Sequence, residues 1–185
     1  RMVSGFGDGA IATQRVGGQI ESITWNVADG FAAALNAFSA QNFGAGKIDR
    51  VKKGYYLSAI TIALWGSLIG LIFFLFPNGI ANIFFHEPEV IAIAIGYLSI
   101  IALGEPFMCV EIVSSGAISG LGNTKLCSII SIVFTGSRIP LAYLLSQTSL
   151  GLTGIWWALT ITSICKGIVF FFAFQKEIKF SNLSS

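Results

Sequence analysis

The chain has 185 residues, of which 54% are hydrophobic and 11% are charged, and its formal net charge is +2. Soluble domains average roughly 45–50% apolar and 25% charged residues, so this composition predicts a membrane protein. The small net charge and the scattered basic residues exclude a nucleic-acid-binding groove.

The N-terminal segment 1–15 is rich in glycine and short of apolar residues, which predicts an outer loop or the end of a missing helix. Segment 16–43 is the first predicted membrane span. Its polar residues, among them Asn26, Asp29 and Asn36, recur at spacings of three and four and share one helix face. This face is either a packing surface of small residues or the wall of a polar cavity, and Asp29 favours the cavity.

A short basic loop follows the first span and carries Lys47, Arg50, Lys52 and Lys53. By the positive-inside rule this loop is cytoplasmic. The uncharged segment 55–76 is the second predicted span. The stretch after it carries acids but no lysine or arginine, which predicts an outer loop, with His86 as a solvated residue rather than a proton relay.

The third predicted span, 89–122, contains two acids, Glu105 and Glu111, and a proline directly after the first of them. A carboxylate inside a membrane is costly unless a partner or a transported ion offsets its charge, so both glutamates are functional candidates. Pro106 removes a backbone hydrogen bond and predicts a kink beside Glu105.

The last two predicted spans are 126–145, with Arg138 inside it, and 155–174, with Lys166 inside it. The transmembrane bundle as a whole is expected over 16–180, and 181–185 reads as a frayed tail. The scattered cysteines Cys109, Cys127 and Cys165 are interpreted as packing residues, because no disulfide or zinc-ligand spacing is present.

Counting about 1.5 Å per residue from the cytoplasmic helix ends gives each buried charge a height in the membrane. Asp29, Glu105, Glu111, Arg138 and Lys166 then share one band near the midplane. By the same count Glu21 lies roughly 35 Å up, near the outer interface.

The expected pairing within this band is Arg138 with Glu111, while Lys166 extends towards the cytoplasm. Glu105 and Asp29 are then the acids left to carry an exchanged proton or Na+. The asparagine- and serine-rich face around Asp29 favours that residue.

Four stretches resemble the multidrug and toxic compound extrusion (MATE) family of transporters. They are Gln19-Ile-Glu-Ser through Asp29-Gly-Phe-Ala-Ala-Ala, then Ala40-Gln-Asn-Phe-Gly-Ala-Gly-Lys47, then Ser115-Gly-Ala-Ile-Ser-Gly-Leu-Gly-Asn-Thr-Lys125, and finally Arg138-Ile-Pro-Leu-Ala-Tyr-Leu. Their order and spacing cover nearly the whole chain.

This resemblance implies an all-α membrane protein from a twelve-helix family with two six-helix bundles around a central cleft. It implies export of organic cations or drugs in exchange for protons or Na+, with no cofactor beyond the transported ion. The chain would be the second bundle without most of its first helix, and its partners would be membrane lipids, the substrate and the N-terminal bundle. The expected location is the cell membrane, as in a bacterial plasma membrane protein.

Two other functions stay open, a lipid-linked oligosaccharide flippase and a structural membrane subunit, and the chain is not expected to be an enzyme. A lipid-linked oligosaccharide flippase would need a more basic cavity than Arg138 and Lys166 supply. A membrane enzyme is disfavoured because the sequence has no HExxH motif, no nucleophilic serine with a histidine partner and no metal-ligand cluster. A structural membrane subunit would require every midplane charge to be paired.

Overall fold

The computed structural model describes residues 3–183, and residues 1–2 and 184–185 of the predicted loop and tail lie outside the described residues. Within this range the chain forms a short 3-10 helix, Val3–Phe6, and α-helices without strands, as the sequence predicts. The helices are α1 (Asp8–Gly44), α2 (Ile48–Leu75), α3 (Pro77–Phe84), α4 (Pro88–Ile101), α5 (Glu105–Gly120), α6 (Thr124–Ser146) and α7 (Leu152–Leu183).

The first helix begins at Asp8, so the prediction of a loop through residue 15 is wrong for residues 8–15. Gly7 has φ 95°, a left-handed conformation that lets the chain turn into the helix. Ala10 and Thr13 are almost completely buried in the bundle. Tertiary packing of small residues therefore stabilises a segment whose apolar content alone does not predict a helix.

Two further boundaries differ from the prediction. The expected outer loop after α2 contains α3, which starts at Pro77, a position where the missing proline N–H costs nothing. His86 is exposed between α3 and α4, as expected for a loop residue. The predicted frayed tail is helical over 181–183, where α7 continues.

The third predicted span is broken rather than kinked. α4 and α5 meet at an angle of 53° across residues 102–104, before Pro106, which occupies the first turn of α5. Two glycines of α2 pack against this break: a Cβ at Gly70 would lie 2.5 Å from the Ala102 carbonyl oxygen, and one at Gly66 would lie 2.8 Å from Pro106 Cα. Because these glycines have no side chains, α2 can pack closely against the break between α4 and α5.

α5 lies at the centre of the bundle and packs against α1, α2 and α7, while α6 packs mainly on α7. A buried hydrogen bond of 2.7 Å joins Tyr55 of α2 to Ser114 of α5. The Tyr55 ring stacks on Phe174 of α7 at a centroid distance of 3.6 Å. These contacts hold three helices together at the end of the bundle where α1 ends and α2 begins.

Among residues 3–183, three helices are long and apolar enough to cross a membrane, namely α2, α6 and Leu152–Lys179 of α7, and the bent pair α4 with α5 makes a fourth span if it crosses as one. The predicted first span is not among them, although α1 has 37 residues. Its many polar residues lower its hydropathy, and several of them, including Asn26 and Asp29, are exposed. Such a helix is suited to a position away from lipid.

Candidate functional site

Two glutamates, a tyrosine and an arginine from four different helices line one cavity of about 250 Å³, which we call the carboxylate cavity. Glu21 comes from α1, Tyr97 from α4, Glu105 from α5 and Arg138 from α6. The remaining lining residues are Gln14, Gly18, Trp25, Ile101, Gly104, Met108, Leu159, Thr160 and Ser163.

Glu105 lies at the N-terminus of α5, directly after the break, and is 1% exposed. Neither of its carboxyl oxygens has a hydrogen-bond partner. The nearest polar group is the Thr24 hydroxyl, which lies close enough to interact with the Glu105 carboxyl but makes no hydrogen bond that meets the usual geometric criteria. A buried carboxyl in this position is costly to ionise unless a cation binds to it, so it is suited to holding a proton or another positive charge.

Glu21 is 5% exposed and accepts a hydrogen bond from the Tyr97 hydroxyl. The Tyr97 ring lies over Gly17, where a Cβ would clash with it, and meets Trp156 edge-on at 5.3 Å between centroids. Glu21 therefore has a fixed donor, whereas Glu105 has none. The two carboxyls are close enough to repel each other when both are charged.

The sequence-based placement of Glu21 near the outer interface missed its role in this cavity. A count along α1 gives a height but not the direction in which a side chain points. The available sequence signal was the spacing of three and four residues that links Glu21 with small residues of α1. In the structure these residues form one buried helical stripe: Ala10, Thr13, Gly17, Glu21, Thr24 and Ala28.

Arg138 does not pair with Glu111, so that prediction is wrong. Its Nε donates to Thr162 Oγ1 and its Nη2 donates to Ser163 Oγ, each at 2.9 Å. α7 packs extensively on both α5 and α6 and provides these hydroxyls, whereas α5 and α6 make little contact with each other. The guanidinium is close enough to Glu21 to interact with it electrostatically.

Glu111 instead pairs with Lys166 of α7, with 2.6 Å between Oε1 and Nζ. The Lys166 side chain is 9% exposed and that of Glu111 is 14% exposed, so the pair is largely buried. The expectation that Lys166 extends towards the cytoplasm is therefore wrong. Its positive charge is neutralised by the Glu111 carboxylate of α5.

A second, more open cleft of about 400 Å³ lies between α1 and α5 and contains Asp29, Asn36 and Glu111. The helices approach closely beneath it, because a Cβ at Gly116 would lie 2.5 Å from the Ala32 carbonyl oxygen. The structure thus divides the predicted residues between two sites. Glu105 and Arg138 line the carboxylate cavity, Asp29, Asn36 and Glu111 line the open cleft, and Asn26 lines neither.

Over residues 3–183, no group of three or more histidine, cysteine, aspartate or glutamate side chains is arranged to hold a metal ion. The carboxylate cavity offers two carboxyls and hydroxyl oxygens to a single cation.

The profile of the MatE family matches residues 1–144 of the chain. The chain belongs to the MatE family. A probable multidrug resistance protein NorM of Thermotoga maritima is 31% identical over 153 residues, which are 80% of this chain and 32% of that protein. Multidrug and toxin extrusion protein 1 of the rat is 25% identical over 84% of this chain and 28% of its own length.

Among solved structures, the MATE transporter VcmN of Vibrio cholerae in its bent form matches with a TM-score of 0.91 and 20% identity. The match covers 98% of this chain and 42% of VcmN. The MatE chain described here therefore spans about a third of its curated relatives and has the fold of part of a MATE transporter. It is a multi-pass membrane protein, and these relatives are named as multidrug resistance and extrusion proteins.

Proposed function

We propose that this chain forms one helix bundle of a secondary active efflux transporter that exports organic cations or drugs in exchange for protons or Na+. Glu105 carries the exchanged ion. The observation that supports this role is its carboxyl group, which is 1% exposed and has no hydrogen-bond partner or ion pair among the described residues.

An exchanger needs an acid that is neutralised alternately by the coupling ion and by another state of the protein or its substrate. Glu105 fits because no fixed cation bonds to it, and because the broken backbone before it separates α4 from α5. Asp29, which the sequence favoured, is exposed in the open cleft. It fits a role in attracting a cationic substrate rather than in holding a desolvated ion.

The partner of this bundle would be a second, N-terminal bundle of the same protein, facing the open cleft. The exposed polar residues of α1 support this arrangement, since they are poorly suited to lipid. Lipid contact is suited to the exposed apolar side chains of α2 and α6, such as Leu64, Leu71 and Ile132. The transported proton or Na+ is the only ion required, and no cofactor is proposed.

Transport of an anionic substrate is less well supported. One curated relative, from Shewanella oneidensis, is named an FAD transporter and is 25% identical over 95% of this chain. A pyrophosphate group, in FAD or in a lipid-linked oligosaccharide, would meet two carboxyls and one guanidinium in the carboxylate cavity. A purely structural role is disfavoured by the unpaired Glu105.

The test is proton-driven transport of a fluorescent organic cation such as ethidium in everted membrane vesicles. The vesicles contain the full-length protein that carries this chain, either unchanged or with Glu105→Gln. We expect the variant to reach the membrane in normal amount and to lose export against a gradient. Glu89→Gln is the matched control, since Glu89 is exposed at the start of α4. Normal export by Glu105→Gln would overturn the assignment of this residue.

A further inference from the structure

The carboxylate cavity contains an uneven set of charges. Two acids, Glu21 and Glu105, and one base, Arg138, line it, and Tyr97 is the other titratable group among the described lining residues. With both acids ionised the cavity carries a net charge of −1. One positive charge is therefore enough to neutralise it.

The titratable groups around the cavity come from α1, α4, α5 and α6. α1 contributes Glu21, α4 contributes Tyr97, and α5 contributes Glu105, with the Cys109 thiol one turn further on. α2 presents glycines to the break, and α7 presents hydroxyl groups. The nearest lysine on α7, Lys166, is paired with Glu111 outside the cavity.

Arg138 is fixed in place without being bonded to either acid. Thr162 and Ser163, which are 4% and 8% exposed, accept hydrogen bonds from two of its nitrogens. The Thr162 hydroxyl uses its own proton on carbonyl oxygens of α7, so it can act only as an acceptor towards Arg138. Among the described residues no carboxyl oxygen lies within ion-pair distance of the guanidinium.

We propose that Arg138 is a specificity-determining residue. Its positive charge cancels that of one cavity carboxylate, so that the cavity favours a transported cation with a single positive charge. This inference rests on the proposed cation exchange. A monovalent organic cation or one proton neutralises the cavity, whereas a dication leaves an excess positive charge beside Arg138. An unpaired charge in a poorly solvated site is unfavourable, so dications are disfavoured.

The test uses two probes with the same aromatic core and different charge: the monoquaternary N-methyl-4,4′-bipyridinium and the bisquaternary methyl viologen. Binding to the purified full-length protein is measured by calorimetry in buffers of different ionisation enthalpy, which also counts the protons released. For the unchanged protein we expect preference for the monocation and release of one proton per bound probe.

For Arg138→Gln we expect the ratio of the two affinities to shift about tenfold towards methyl viologen, because one unit of opposing charge is removed. We also expect up to two protons to be released when methyl viologen binds. Arg138→Lys keeps the charge and should keep the monocation preference. Lys53→Gln removes an exposed positive charge on α2, outside the cavity, and should change neither ratio nor proton count.

The double variant Glu21→Gln/Arg138→Gln restores the net charge of −1 and should restore the monocation preference. Glu21→Gln alone removes an acid and should shift the ratio the other way, which keeps the test decisive if Arg138→Gln does not fold. An affinity ratio within twofold of normal in both single variants would overturn the role of Arg138. Unchanged proton release in Glu105→Gln would instead overturn the proposed function.

Discussion

Two glutamates on the same helix, α5, are buried in opposite ways. Glu111 forms a 2.6 Å ion pair with Lys166, while Glu105 is more deeply buried and has no partner. The neighbouring helix α7 explains the difference, since it presents an ammonium group to Glu111 but only Leu159 and the hydroxyl residues Thr160 and Ser163 to the cavity that holds Glu105. The comparison shows that burial does not decide function by itself. A paired acid stabilises the bundle, whereas an unpaired acid is available to an ion.

The largest expected effect concerns the paired side of this comparison. Lys166→Met leaves Glu111 as a buried charge without compensation and should destabilise the protein by about 3–5 kcal/mol. The thermal midpoint of the purified full-length protein in detergent measures this loss. The double variant Lys166→Met/Glu111→Gln should recover most of it. If the double variant is no more stable than Lys166→Met, the ion pair does not explain the burial of Glu111.

A smaller effect is expected where α1 and α5 approach each other beneath the open cleft. A Cβ at Gly116 would lie 2.5 Å from the Ala32 carbonyl oxygen, so Gly116→Ala should separate the helices and cost about 1–3 kcal/mol. Gly30→Ala is the control, because a Cβ there meets nothing within 4 Å. Equal melting temperatures for the two variants would show that the close approach of α1 and α5 at Gly116 does not stabilise the bundle.

The next variant leaves Glu21 without its hydrogen-bond donor, which makes it resemble Glu105. Tyr97→Phe keeps the ring against Trp156 and removes the hydrogen bond to Glu21, which should cost about 1–2 kcal/mol because a buried acceptor loses its donor. Thermal unfolding in detergent measures the change. Tyr143→Phe, at an exposed position on α6, is the matched control and should leave stability unchanged.

The last test concerns the orientation of the bundle in the membrane, and its substitutions should change stability least. In a cysteine-free background, a cysteine at Ile48 should react with membrane-impermeant reagents only from the cytoplasmic side, and one at Glu87 only from outside. Ile48 is the first residue of α2, and Glu87 lies beyond α2 and α3, directly before α4. Reaction from the reversed sides would place Glu105 nearer the cytoplasm than Glu111.

The helical class and the approximate positions of the apolar spans could be predicted from apolar runs, because the membrane requires long apolar segments. The number of helices could not, since α3 was not predicted and the third span is two helices, α4 and α5. The sequence predicts the disturbance at Pro106, whereas the break also contains Gly104, a residue that weakens a helix. The true position of the break at 102–104 depends on Gly66 and Gly70 of α2, which are distant in sequence. Local signals thus predict a disturbance of the helix, and tertiary packing decides where it occurs.

The charge pairs could not be predicted for a related reason. Heights along each helix matched Arg138 with Glu111, but the partner of a charge depends on which helices are neighbours. α7 packs on both α5 and α6 and supplies the partners of both residues. Glu105 could be proposed as a candidate from its sequence position alone, because an acid in an apolar run is costly wherever its neighbours lie, and the structure shows that it is buried.

The central claim is that Glu105, and not Glu111, carries the exchanged ion. The most direct measurement is the number of protons or Na+ ions released when an organic cation such as tetraphenylphosphonium binds to the purified full-length protein. Glu111→Gln should still release the ion in normal number, whereas Glu105→Gln should release none, and the probe should bind to it only at higher concentration. Normal ion release by Glu105→Gln, or loss of release in Glu111→Gln alone, would contradict the account.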